Sequence, residues 1–233
     1  MILYQILYKV RTNVHTQKYR SPFTKVLNMG VKMIHSKRLL MRTVKEEELE
    51  TVYKCISDVN AKGEYWHLNL PSSQAFMQEY AKDGCWGADE GRMLILKNPF
   101  IDQPETEENT FVESNYIGEM IYFKGLDYQS GYEVGYEIFH QADFGKGYMS
   151  EALLLFCAFM FASRSINRIQ VNLMHGNIGS KRVAEKCGFT YEGTMRKATF
   201  HRGQYHDLDM YSLLRNECPS LEVLLNTEKE NSK

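Results

Sequence analysis

The chain contains 233 residues, enough for one domain with a sizeable core and a small appendage. Hydrophobic residues make up 43% and charged residues 24%, a balance that excludes collagen-like, low-complexity and broadly disordered chains. Lys and Arg number 28 against 29 Asp and Glu, so the net charge is −1. The basic excess of proteins that bind nucleic acid through its phosphates is missing, which disfavours nucleic acid as a partner.

Residues 1–34 form a distinct N-terminal segment, because they contain Lys and Arg but neither Asp nor Glu. We expect a peripheral extension, or a stretch upstream of a natural start at Met29 or Met33. Lys9 and Arg11 interrupt the apolar start before it reaches the length of a signal peptide. A cytoplasmic location is therefore predicted.

A domain of mixed helices and strands is predicted over residues 35–218, followed by a polar tail at 219–233 that is expected to fray. Strands are predicted at 38–43, 93–96, 116–123, 132–139, 169–173, 194–201 and 205–214, and helices at 46–56, from 71 onward, at 148–162 and at 180–186. The acidic stretch 98–114 is predicted to be a long loop. The longest apolar run, 152–162, has eleven residues, whereas a membrane-spanning helix needs roughly 20. No membrane span is predicted.

The cysteines and histidines give no sign of a metal site or a disulfide framework. The five cysteines are scattered, odd in number and free of C-x-x-C spacing. The seven histidines show no metal-binding spacing such as H-E-x-x-H. We therefore expect no metal.

The segment Phe144–Glu151 (FGKGYMSE) is the most informative stretch, since it joins a predicted strand to the strongest predicted helix. Gly145 and Gly147 allow a tight loop whose backbone N–H groups point into one space, and the helix N-terminus adds partial positive charge. This combination binds phosphate, although a plain turn fits the three residues Gly-Lys-Gly equally well. The segment is neither a Walker loop nor a dinucleotide fingerprint, because Ser150 stands where the third glycine would be.

From Glu133 onward, six sequence patterns follow one another in a characteristic order. They are E-V-G-Y at 133–136, G-K-G with E-A-L at 145–153, N-R-I at 167–169, N-x-x-S with V-A-E-K-C-G-F at 177–189, E-G-T-M-R at 192–196 and G-x-Y-x-D with Y-S-L-L at 203–214. This order resembles the GNAT acyltransferases, most closely their RimJ/RimL-like branch of N-acetyltransferases, over roughly residues 36–217. The resemblance implies an α/β (α+β) fold, the GNAT acyl-CoA N-acyltransferase fold, with a mixed central sheet flanked by helices. It also implies transfer of an acetyl group to a primary amine in a ternary complex.

The resemblance implies acetyl-CoA as the donor cosubstrate. Its pyrophosphate would bind at Gly145, Lys146, Gly147, Tyr148, Met149 and Ser150. Its pantetheine arm would pair with the strand edge at Ile138, Phe139 and His140, with Asn177 and Ser180 as further contacts. Two positions depart from the family pattern, because Phe144 replaces an Arg or Gln and Met149 a Gly or Ala. The backbone N–H donors are unaffected by either change.

The reaction requires a neutral amine, so a base should take its proton. The resemblance points to Glu133, with Glu119 and Glu137 as competitors and a structural carboxylate as the alternative interpretation of Glu133. Another base position of RimL-like enzymes falls at Thr199, which cannot serve.

An acid should protonate the departing CoA thiolate. The tyrosine that many GNAT enzymes use is replaced by Ala184, which leaves Ser180 as the candidate hydroxyl. Helix capping is the alternative role for Ser180. Asn177 is expected either to bind pantetheine amides or to form a turn.

The acceptor amine is not identified by the sequence, and a protein N-terminus, an amino acid or peptide and an amine-bearing small molecule all stay open. By resemblance, the segment Tyr65–His67 borders the acceptor site, although Trp66 could equally belong to the core. A non-catalytic acyl-CoA sensor is the alternative function, since Ala184 and Thr199 leave two usual catalytic positions empty. A second copy of the chain, giving a homodimer, is also left open as a partner.

Overall fold

A twisted eight-stranded sheet with helices on both faces forms the centre of the computed structural model, which describes residues 34–60, 63–66, 71–98, 115–125 and 131–230. The strands are β1 (Ile34–His35), β2 (Leu39–Arg42), β3 (Glu90–Lys97), β4 (Tyr116–Lys124), β5 (Gly131–Ile138), β6 (Arg168–Met174), β7 (Thr190–His201) and β8 (Gln204–Leu214). The helices are α1 (Leu49–Ser57), α2 (Ser73–Asp83), α3 (Tyr148–Ser163), α4 (Ile178–Lys186) and α5 (Leu221–Glu230), with short 3₁₀ turns at Glu46–Glu48 and Gln141–Asp143. The predicted mixed α/β architecture is confirmed.

The strands follow the order β1-β2-β3-β4-β5-β6-β8-β7, and every neighbouring pair is antiparallel except β5 with β6. A parallel pair needs a crossover, and α3 provides it. The β5–β6 pairing covers Gly131 to Glu133 on one strand and Arg168 to Gln170 on the other. Beyond this short ladder the two strands diverge, which opens the sheet at its centre.

Helix α3 fills one face of the sheet. Its predicted core positions Leu153, Phe156, Cys157 and Met160 are all fully buried. The helix is apolar on every side because the sheet covers it on one side and α4 and α5 also pack against it. On the opposite face, α1 and α2 bury Val52 and Phe76 against the first strands and so form a second core.

A buried ion pair fastens the start of α1 to this second core. The Arg42 guanidinium donates to both oxygens of Glu48 at 2.5 and 2.7 Å, and Tyr116 Oη donates to Glu48 Oε2 at 2.6 Å. Burial raises the pKa of Tyr116, and the neighbouring Glu48 charge raises it further. Tyr116 therefore stays a hydrogen-bond donor at all physiological pH values.

The C-terminal segment differs from the expected frayed tail. Residues 221–230 form α5, and Leu221, Leu224 and Leu225 pack against the main core. Their i, i+3, i+4 spacing places three apolar side chains on one helix face, which is enough to hold a short helix on the domain. The predicted extension at 1–34 lies outside the described residues except for Ile34, which is buried in β1. The predicted loop at 98–114 is described only at Asn98.

Arg215 closes the C-terminal end of α3. Its guanidinium donates to the main-chain carbonyls of Phe161, Arg164 and Ile166 at 2.5, 2.7 and 2.8 Å. Phe161 lies in the last turn of α3, where carbonyls lack helical partners, and Arg164 and Ile166 follow the helix. One side chain therefore binds three carbonyls around the end of α3.

Candidate active site

A cavity of about 630 Å³ lies where β5 and β6 diverge, between the N-terminus of α3, one face of α4 and the segment 63–66. Its lining comprises Gly63, Glu64, Tyr65, Trp66, Tyr136, Glu137, Ile138, Phe144, Gly145, Gly147, Tyr148, Met149, Ser150, Asn177, Gly179, Ser180, Arg182, Val183 and Lys186. Eight of the residues predicted from the sequence to form a site therefore share one cavity: Ile138, Gly145, Gly147, Tyr148, Met149, Ser150, Asn177 and Ser180.

The loop before α3 has the geometry of an anion site. Gly145 and Gly147 have φ values of +74° and +77°, which glycine adopts at no steric cost. Gly147 is the N-cap of α3, and no side chain caps this end of the helix. The first N–H groups of α3, at Tyr148, Met149 and Ser150, therefore lack intrahelical partners and face the cavity end of the helix.

Lys146 does not line this cavity, although it lies in the loop. Its ammonium donates to Asp143 Oδ1 at 3.0 Å, and Asp143 is buried. The lysine charge is therefore already paired, which leaves the backbone as the main source of donors in the loop.

The free edge of β5 alternates along the strand. Phe139 N donates to Ile117 O at 2.8 Å and Gly125 N to Gly131 O at 3.0 Å, so the odd-numbered residues of β5 bond to β4. The main-chain groups of Tyr136 and Ile138 consequently point toward the opening beside β6.

Two sequence predictions are corrected, one by this alternation and one by the turn that follows β5. Phe139 is buried in the second core and its N–H is used by the sheet, so it cannot pair with a ligand in the opening. His140 is absent from the cavity lining, and its main-chain carbonyl accepts from Asp143 N at 3.0 Å in the turn after β5. The available edge is thus Tyr136 and Ile138, not the three residues from Ile138 to His140.

Helix α4 presents Asn177 and Ser180 to the cavity. Asn177 is the N-cap, since its Oδ1 accepts from Ser180 N at 3.0 Å. The capping role considered for Ser180 therefore belongs to Asn177, and the Ser180 hydroxyl is not needed for it. Tyr136 Oη donates to the carbonyl of Ser180 at 3.1 Å, and burial raises the pKa of this tyrosine, which keeps it protonated.

The candidate carboxylates occupy different surroundings on β4 and β5. Glu137 is buried and lines the cavity. Glu133 lies four residues earlier on β5 and accepts from Asn172 Nδ2 at 2.8 Å and from Gln170 Nε2 at 3.4 Å. Glu119, opposite Glu137 in the ladder, is buried in an ion pair with Arg92. Glu137 is thus the one residue of these three that lines the cavity.

One face of α4 was missed by the sequence analysis. Gly179, Arg182, Val183 and Lys186 line the cavity at i, i+3, i+4 and i+7. That helical spacing was visible in the sequence, because these positions share one face of a helix. The face carries one glycine, one valine and two cationic side chains. Arg182 and Lys186 are exposed and place positive charge along this wall.

The segment 63–66 is held over the cavity by two hydrogen bonds. Tyr65 Oη donates to Gly176 O at 3.1 Å, and a ring nitrogen of His201 lies 2.7 Å from Glu64 O. Tyr65 and Trp66 are half-buried and line the cavity, whereas Glu64 is exposed. The continuation to His67 lies outside the described residues.

The two positions that the sequence resemblance associates with catalysis, Ala184 and Thr199, do not belong to the cavity lining. Ala184 is fully buried in the main core, and Thr199 lies on β7 opposite His206. Within the described ranges, no group of three His, Cys, Asp or Glu side chains is arranged to hold a metal ion. None of the helices in that part of the chain is long and apolar enough to cross a membrane.

Comparisons with known proteins agree with the geometry. A family model described as an acetyltransferase (GNAT) domain matches residues 38–190. The N-acetyltransferase YnaD of Bacillus subtilis (strain 168) is 25% identical over 184 residues, which cover 79% of this chain and 98% of YnaD.

Two solved structures share the fold. The first is spermidine N-acetyltransferase from Vibrio cholerae in complex with CoA and spermine, with a TM-score of 0.59, 19% identity and coverage of 77% of this chain and 96% of that one. The second is RimL, the ribosomal L7/L12 alpha-N-protein acetyltransferase in complex with coenzyme A, with a TM-score of 0.59, 18% identity and coverage of 78% and 97%.

Proposed function

The chain belongs to the GNAT acetyltransferase family, and we propose that it transfers the acetyl group of acetyl-CoA to a primary amine, as a member of the RimJ/RimL-like branch. The observation that carries the proposal is the cavity at the divergence of β5 and β6, beside the uncapped N-terminus of α3. One wall offers unpaired backbone to an extended ligand, and the adjoining loop offers N–H donors to an anion.

Acetyl-CoA has one part that fits the loop and another that fits the strand edge. Its pyrophosphate binds the N–H groups of the loop from Gly145 to Ser150, where the helix adds partial positive charge. Its pantetheine arm extends along Tyr136 and Ile138 and completes the sheet on the open side of β5. Arg182 and Lys186 add positive charge on the α4 wall for the remaining phosphate. Both structural neighbours described above were solved with CoA.

The reaction proceeds by direct attack in a ternary complex. The amine lone pair attacks the thioester carbonyl carbon, the carbon–sulfur bond breaks, and the amine nitrogen loses one proton. A covalent route through cysteine is disfavoured, because Cys187, which donates to Ser150 O in the donor loop, is a buried thiol. Burial raises its pKa to about 12, whereas a nucleophilic cysteine must be a thiolate.

The need for a base depends on the acceptor. An α-amino group of pKa near 8 costs about 1 kcal/mol to deprotonate at pH 7, and a lysine near 10.4 costs about 4–5 kcal/mol. We propose that a carboxylate of β5 accepts this proton. Glu137 lines the cavity and reaches the amine directly, whereas Glu133, held by Asn172 and Gln170, acts through water.

Ser180 is the proposed partner of the departing thiolate. Ser180 lines the cavity, and both of its main-chain polar groups are hydrogen-bonded. Its N–H donates to Asn177 Oδ1, and its carbonyl accepts from Tyr136 Oη. With the Ser180 backbone held in this way, the side-chain hydroxyl can donate to the sulfur as negative charge develops there.

We propose that the acceptor enters beneath the segment 63–66. Glu64, Tyr65 and Trp66 line that side of the cavity, and an acidic and aromatic lining attracts an amine that is protonated in water. A protein N-terminus, a peptide or amino acid, and a small amine all meet this requirement.

The test is release of free CoA thiol from acetyl-CoA across a panel of amines. The panel contains peptides with free and blocked N-termini, amino acids and linear polyamines, and products are identified by the mass gain of one acetyl group. Thiol release that needs both enzyme and amine supports acetyl transfer, and Gly147→Pro serves as the inactive control. Tight acetyl-CoA binding without thiol release on any amine would instead support the non-catalytic sensor.

A further inference from the structure

Arg38 links the first strands of the sheet to the anion-binding loop. It lies in the turn between β1 and β2, far from the loop in sequence, and its Nη1 donates to Lys146 O at 3.0 Å. Its Nε donates to Glu151 Oε2 at 2.8 Å, and Nη2 bonds to the same oxygen. The guanidinium also stacks over the Tyr148 ring, 5.1 Å from its centre. One side chain therefore contacts three residues of the loop and the first helical turn.

Glu151 presents an electrostatic problem at this position. It lies in the first turn of α3, where an acidic side chain stabilises the helix dipole but repels an anion bound at the same end. Its other oxygen, Oε1, accepts from Ser36 Oγ at 2.5 Å. Ser36 and Arg38 together hold both oxygens of the carboxylate, and the guanidinium neutralises its charge.

The loop has no other guanidinium to take this role among the described residues that contact it. Phe144 stands at the start of the loop, half exposed and uncharged. The Lys146 ammonium is occupied by Asp143. The Arg38 side chain keeps 46% of its surface exposed, and its Nη2 lies 3.8 Å from the position that a Cβ on Gly147 would take.

We propose that Arg38 is a positioning residue for the acyl donor. By holding the Lys146 carbonyl it fixes the orientation of the loop N–H groups, and by neutralising Glu151 it removes a repulsive charge from the pyrophosphate site. The inference rests on the proposed function, since it takes the CoA pyrophosphate as the bound anion.

The experiment measures acetyl-CoA affinity by calorimetric titration and the kinetic constants with a saturating amine. For Arg38→Ala we expect affinity to fall about 10- to 100-fold, the range for losing a hydrogen bond to a charged group. The KM for acetyl-CoA should rise by a similar factor while kcat changes less than about threefold, because the reacting atoms are untouched.

Glu151→Gln separates charge neutralisation from mere structural support. Alone, it should leave affinity within about threefold of the parent, because it removes both the repulsive charge and the need to neutralise it. Combined with Arg38→Ala, it should recover at least half of the lost affinity on a logarithmic scale. Arg196→Ala, which removes an exposed arginine on β7, is the matched control and should leave affinity unchanged.

The outcomes separate cleanly. If Arg38→Ala binds acetyl-CoA as the parent does, or if Glu151→Gln gives no recovery in the double variant, the inference is overturned. If the parent itself does not bind acetyl-CoA, the proposed function fails first. Should Arg38→Ala melt too early to measure, Arg38→Lys keeps the charge without the fork, and its affinity must then fall between that of the parent and that of Arg38→Gln.

Discussion

The conformation of Gly147 gives a sharp test of the backbone anion site. Proline at this position requires φ near −65°, whereas the structure has +77°, so the loop must rearrange and the N–H of residue 147 is lost. Because Gly147 is the N-cap, the N–H groups of Tyr148, Met149 and Ser150 change direction with it. We expect Gly147→Pro to abolish measurable acetyl-CoA binding.

The magnitude follows from the donors involved. A hydrogen bond to a charged group contributes about 1.5–3 kcal/mol, so losing two of them weakens binding by about 3–6 kcal/mol. In terms of Kd this is roughly a 10²- to 10⁴-fold loss. The variant still folds if the change stays in the loop, which a thermal melt would establish.

Two matched variants separate backbone from side chain. In Gly147→Ala the donors remain, and the added Cβ meets nothing closer than Arg38 Nη2 at 3.8 Å, so the cost is the left-handed backbone, about 1–2 kcal/mol, mainly in stability. Lys146→Ala removes an ammonium already paired with Asp143 and should weaken binding by less than about 1 kcal/mol. Calorimetric titration that ranks Lys146→Ala as the most damaging of the three would refute the backbone argument.

Three further predictions concern the chemistry and the fold. Ser180→Ala should slow acetyl transfer about 10- to 1,000-fold while the melting temperature stays unchanged, since Asn177 supplies the cap; an early melt with normal turnover would contradict both assignments. Glu137→Gln should lose most activity at low pH and little at high pH, where the amine deprotonates itself, and a pH–rate profile beside that of Glu133→Gln decides which carboxylate is the base. Arg215→Ala should cost about 2–3 kcal/mol of unfolding free energy in urea titration, and a loss below about 0.5 kcal/mol would show that water replaces the cap of α3.

The loop and helix of the proposed donor site could be predicted from the sequence because their signals are local. Gly145 and Gly147 precede a long apolar helix, and that adjacency alone requires a tight loop at a helix N-terminus. The succession of strands and helices around it was predicted for the same reason, since each strand and helix has its own period. The family resemblance then implied a mixed central sheet flanked by helices, and the order of its strands was learned from the structure.

The side of β5 that faces the opening could not be read from the sequence. In the sequence, nothing distinguishes the main-chain groups of Ile138, Phe139 and His140 as partners for a ligand. In the structure, the Phe139 N–H is used in pairing with β4, and the main-chain groups of Ile138 face the opening. Ladder alternation depends on register, and register is fixed by contacts between strands far apart in the chain. The identity of the N-cap of α4 could not be predicted for a similar reason. Asn and Ser are both good caps, and the turn before α4 places the Asn177 side chain at the N–H of Ser180.

The acceptor half resists prediction for a different physical reason. Its walls come from the segment 63–66 and the end of β5, and the β7–β8 hairpin holds that segment through the contact of His201 with Glu64 O. None of these segments has a distinctive composition. Their side chains form a binding surface only after folding brings the segments together. Specificity for the amine therefore depends on how the 63–66 segment is held, so substitutions at His201 or Tyr65 should change the KM for the amine while leaving acetyl-CoA affinity intact. A parallel loss of both would mean that this segment supports the whole cavity and does not select the acceptor.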